Sequence, residues 1–83
     1  MPTVAIVEGV KIQVFAQEHP PAHFHAVFAE HRAQIEISSL RVLKGSLPRA
    51  KLSEVVSWAR PRRLALQEAW ESMLAKRKPE KIR

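Results

Sequence analysis

The sequence predicts an α+β domain: an antiparallel sheet of four to five strands, arranged as two hairpins, followed by two C-terminal helices packed on one face. Two patterns carry that prediction. Up to about residue 40 the chain alternates apolar and polar side chains with the period of two that belongs to strands. Beyond residue 46 it changes to the three-and-four spacing of amphipathic helices. A length of 83 residues without cysteine allows one small core, which gains most from a metal, a partner subunit or close packing. We expect residues 1–75 to be a single domain and residues 76–83, KRKPEKIR, a basic and flexible tail.

The opening TVAIV is rich in β-branched residues, and Val10, Ile12 and Val14 face one way while Lys11 and Gln13 face the other. Glu8-Gly9 between them suits a two-residue hairpin turn. In the second hairpin, Phe24, Ala26 and Phe28 must share a face with Ala33, Ile35 and Ile37, which demands an even loop. With Glu30-His31 as that loop, His25 pairs with Glu36 and His23 with Ser38, on the face away from the core. Leu40 to Leu43 reads as an edge strand that Gly45 ends. Ser46 and Pro48 mark a helix start, and Leu52, Val55, Val56 and Ala59 form its apolar stripe. Pro61 kinks this helix or opens a second. There Ala65, Leu66, Ala69, Trp70, Met73 and Leu74 form a stripe that is core or a partner interface.

The net charge of +6 is uneven. Residues 1–40 hold two basic and four acidic side chains, a net of −2, whereas residues 41–83 hold twelve basic and four acidic, a net of +8. Such a C-terminal half suits RNA or DNA, or an acidic protein partner, through Arg41, Lys44, Arg49, Arg60, Arg62 and Arg63. The bland alternative is that these cations solvate helix surfaces. No apolar run is long enough for a membrane span and no signal-like segment follows Met1, so we expect a cytoplasmic protein with no membrane contact.

Three of the four histidines fall in HPPAHFH, residues 19–25. His23 and His25 project from one face of a strand, and Pro20-Pro21 could fold His19 back towards them. These imidazoles suit acid–base cleavage of RNA, with Glu36 as orienter and a nearby cation for the phosphorane charge. They equally suit a divalent metal such as zinc, held by His19, His23 and His25. Histidines on a half-exposed strand are the structural alternative to both. The sequence argues against a nucleophilic triad, since cysteine is absent and neither Ser38 nor Ser39 has a nucleophile-elbow context, and a phosphate-cradling glycine loop is missing, since Gly9 and Gly45 are the only glycines.

An MPTV start, a glycine turn, EHPPAHFHAVF in place of an (E/D)H-x-P-x-H-F-H motif, GSLP before the helix and Trp70 within it together resemble the domain of unknown function 4160 family. The resemblance covers the chain almost end to end. It implies a bacterial α+β protein, often encoded beside a member of a second small family, domain of unknown function 2442, in an arrangement like a toxin and antitoxin pair. On that basis the leading expectation is a toxin-like, RNA-directed component with a small protein partner encoded nearby. His19, His23, His25 and Glu36 are its candidate site. The alternatives are a metal-binding enzyme or module on the same histidines, and a non-catalytic homo-oligomer sealed by the Trp70 stripe.

Overall fold

The first hairpin follows from its turn. Glu8 and Gly9 both take positive φ, 49° and 81°, the backbone of a tight two-residue turn whose twist matches the flanking strands. In this computed structural model, which describes residues 3–15 and 19–83, that turn joins β1 (Thr3–Val7) to β2 (Val10–Gln13). Met1 and Pro2 of the expected opening strand, and Glu18 at the head of the histidine motif, lie outside the described residues. Strands β3 (His23–Phe28), β4 (His31–Glu36) and β5 (Val42–Ser46) continue an antiparallel sheet in the order β1-β2-β3-β4-β5. The chain is therefore α+β, with every strand beside its neighbour in sequence.

Two details of the sheet differ from expectation. The β3–β4 loop is even, but it is Ala29-Glu30, so Phe28 pairs with His31, His25 with Gln34 and His23 with Glu36. Ala29 takes the positive φ, 53°, that starts this turn. Alanine gives no sequence signal for such a conformation, which is why the pairing sits two residues away from the expected one. The final strand runs Val42–Ser46, through Gly45 rather than ending at it. A tight turn precedes it: Leu40 takes φ 61°, its N–H donates to Glu36 O at 2.8 Å, and Glu36 N–H donates to Arg41 O at 2.9 Å.

Gly45 itself is held in close approach. It takes φ 79°, and a Cβ built there would lie 2.1 Å from the Arg32 carbonyl oxygen. Only glycine lets β5 run this near β4. The ladder shifts register between Gln34 and Ile35, and Lys44 pairs with Gln34 on one side of that irregularity while Val42 pairs with Ile35 on the other.

The C-terminal third is a single helical run from Arg49 to Leu74. It comprises α1 (Arg49–Ala59), one 3-10 turn at Arg60–Arg62 holding Pro61, and α2 (Arg63–Leu74). Pro48 stands at the N-cap of α1, and its carbonyl accepts the Leu52 N–H at 2.9 Å. Val55, Ala59, Leu66, Ala69 and Trp70 form one core with Val10, Ile12, Phe24, Ala26, Ala33 and Ile35. Burying a side chain such as Phe24 or Ile35 contributes about 1.5–3 kcal/mol. Trp70, only 5% exposed, belongs to this core with Leu66 and Ala69, whereas Leu74 at the end of the α2 stripe is exposed.

The basic tail touches the sheet at several points. Ile82 N–H donates to Val4 O at 2.8 Å and Lys81 Nζ to Thr3 O at 2.9 Å, along the outer edge of β1. Pro79 is buried, Ile82 packs on the core, and Arg62 Nε donates to Arg83 O at 2.7 Å. No helix among the described residues is long and apolar enough to cross a membrane.

Candidate functional site

Strand alternation divides β3 between two faces. Phe24, Ala26 and Phe28 face the helices, where the Lys51 ammonium of α1 lies 4.8 Å from the Phe28 ring centroid. His23, His25 and Val27 belong to the opposite side. His25 is half-buried, and its ring meets Phe15 edge-on at 4.3 Å between centroids and His23 at 5.3 Å. This places two imidazoles and the Phe15 ring in one patch at the start of β3.

His23 departs from the half-exposed position expected of it. It is 5% exposed, and its ring lies 5.1 Å from the Trp70 ring of α2, so this end of β3 does not leave His23 open to solvent as the alternation predicts. Its Nδ1 lies 2.8 Å from the Pro21 carbonyl oxygen. A carbonyl only accepts, so Nδ1 carries the proton and a neutral ring has its lone pair on Nε2. The bond fixes the tautomer and the ring's orientation together. Glu36 is the Cα partner of His23 across the ladder, and its carboxylate accepts a short hydrogen bond from the Ser39 hydroxyl.

His19 is exposed in the segment leading to Pro20-Pro21. Among the described residues, no three His, Asp or Glu side chains gather into a group that could hold a metal ion.

The expected basic residues separate into two kinds. Arg41, Lys44, Arg49 and Arg60 are exposed. Arg62 is tied into the fold: besides Arg83 O it donates from Nη1 to Trp58 O at 2.7 Å and lies 5.2 Å over the Trp58 ring. Arg63 is half-buried, and its Nε is buried with no hydrogen-bond partner among the described residues.

Sequence reading left out the residues that register brings beside His25. Thr3, Gln13, His25, Gln34 and Lys44 pair in succession from β1 to β5, one polar row across all five strands. Gln13 Nε2 donates to Thr3 Oγ1 at 3.3 Å within that row. The next row is Ile6, Lys11, Val27, Arg32 and Ser46. The alternation that assigned Lys11 and Gln13 to the polar side of β2 held the signal, but it needed the β2–β3 pairing to become a site.

A five-stranded antiparallel sheet packed against a C-terminal helical run defines a small α+β domain, with His23 and His25 side by side at the start of β3. The chain belongs to the family described as Domain of unknown function (DUF4160), whose model matches residues 9–71. No curated protein and no solved structure matches it.

Proposed function

We propose that this protein acts on RNA as the toxin-like component of a two-protein module, with His25 as the imidazole that meets the substrate. The observation that supports this most is the His23–His25 pair: one ring half-buried on β3, the other buried beside it and held by the Pro21 carbonyl. In RNA cleavage a base takes the 2′-hydroxyl proton as that oxygen attacks phosphorus, and an acid protonates the departing 5′-oxygen. His25 is the accessible group for the first transfer, and exposed His19 is the candidate for the second. His23 acts through His25 as a positioning residue, with Glu36 across from it. Lys44, two strands from His25 in the same row, is a cation for the charge that builds on phosphorus. The small nearby-encoded partner implied by the family resemblance would then act as the antitoxin.

Inducing the protein in bacterial cells while following growth and transcript integrity tests this reading. Growth arrest with transcript loss, relieved by His25→Ala, is the expected result; normal growth with intact RNA at high expression contradicts it.

A further inference from the structure

We infer that the open face of the sheet is a binding platform for single-stranded RNA, with Lys11, Arg32 and Lys44 on phosphates and the Phe15–His25 pair against a base. This deepens the reading above, because it names where the RNA lies and which cations hold it. The argument rests on three features of the face.

The first is charge. Lys11, Arg32 and Lys44 are all exposed and stand on β2, β4 and β5 in adjacent rows of the ladder. Among the described residues of the sheet and its turns, the acids are Glu8 and Glu30, both in turns, and Glu36, which is bonded to Ser39. The face is thus cationic although the N-terminal half of the chain is acidic overall. Its positive character is a product of folding, since β4 carries Arg32 between Lys11 and the C-terminal Lys44.

The second is the polar lining between those cations. Gln13, His25 and Gln34 lie in a line between Thr3 and Lys44 and can both donate and accept hydrogen bonds. Strands are spaced about 4.8 Å apart, so this row extends about 19 Å from β1 to β5, enough for several nucleotides. The third is the ring pair. Phe15 and His25 meet edge-on beside the middle of the row, and a base stacks on an aromatic surface only when its own face is free. A duplex hides its base faces; a single strand offers them.

This placement differs from contact through the helical cations. Arg62 already holds the Trp58 and Arg83 carbonyls, and Arg49 and Arg60 belong to α1 and the 3-10 turn, away from the row.

Fluorescence anisotropy with a labelled, mixed-sequence single strand of roughly 12 nucleotides tests the inference, since sheet and barrel platforms take on the order of 4–16. Three phosphate contacts predict a slope of log Kobs against log salt of about −2, because each single-strand contact contributes about −0.7. The triple variant Lys11→Gln, Arg32→Gln, Lys44→Gln should bring that slope near zero and weaken binding at least tenfold at low salt. The matched triple Arg49→Gln, Arg60→Gln, Lys78→Gln should stay within a few-fold of the parent. Phe15→Ala should lose about five- to a hundredfold with the slope unchanged. All the substituted cations are exposed, and a thermal melt confirms that each variant folds.

If the first triple binds like the parent and still arrests growth, the platform is wrong while the RNA-directed function stands. If the parent binds no RNA and does not arrest growth, both fall. Equal or tighter binding of duplex RNA overturns the single-strand assignment, and equal binding of poly-glutamate replaces RNA with an acidic protein as the occupant.

Discussion

Replacing Gly45 with alanine should cost far more than replacing Gly9, although both glycines take nearly the same positive φ, 79° and 81°. Alanine in the left-handed region costs about 1–2 kcal/mol at either position. At Gly9 the new Cβ would lie 3.6 Å from Phe28 Cε1, an ordinary contact, so the loss should stop there. At Gly45 it would lie 2.1 Å from the Arg32 carbonyl oxygen, which is backbone and cannot rotate away. The strands must part, releasing ladder hydrogen bonds near Arg32–Ser46 and Ala33–Gly45 that contribute about 0.5–1.5 kcal/mol each. Two such bonds bring the Gly45→Ala loss to about 2–5 kcal/mol, centred near 3. A domain of this size holds about 4–12 kcal/mol in all. Urea unfolding reads the difference directly: with a slope of about 1 kcal/mol/M, Gly45→Ala should lower the midpoint by about 3 M and Gly9→Ala by about 1–2 M. Equal midpoints for the two variants would refute the close approach of β5 to β4, and with it the position of Lys44 beside Gln34.

Further variants examine other joints of the structure. Trp70→Ala should lose about 3–5 kcal/mol because the indole is core, and it should shift the His23 ring resonances in NMR spectra, whereas Trp70→Phe should keep most of both. Glu8→Asn should raise stability by about 0.5 kcal/mol and Tm by about 2–4 °C, because asparagine tolerates φ 49° better than glutamate. Deleting residues 78–83 should lower Tm and promote association, since Ile82 no longer packs on the core and the Val4 carbonyl on the β1 edge loses its donor.

Elements with strong local chemistry were legible in the sequence. Glu8-Gly9 announced its turn, the alternation about Ile12 and Phe24 announced the sheet, and the even β3–β4 loop followed from keeping Phe24 and Ile35 on one face. What escaped depended on features that side-chain pattern does not encode. Ala29 adopts a left-handed conformation that its residue type does not suggest, and this moved the partner of His23 from Ser38 to Glu36. Gly45 looked like a strand end because glycine usually is one, but it answers to the backbone of Arg32 across the ladder. For the candidate site, HPPAHFH put His23 and His25 on one strand, and their rings lie 5.3 Å apart. It could not reveal that Trp70, 47 positions further along the chain than His23, covers that ring, or that Lys11 and Arg32 lie near His25. Those neighbours are set by long-range pairing alone.

The RNA-directed reading is tested most directly by incubating the purified, untagged protein with a labelled single-stranded RNA and identifying the ends it produces. Transfer through the 2′-oxygen predicts fragments ending in a 2′,3′-cyclic phosphate, formed by the parent protein and absent with His25→Ala at equal folding. RNA left intact by the parent at stoichiometric concentration, or cleaved equally by His25→Ala, would contradict the assignment of His25 to the chemistry.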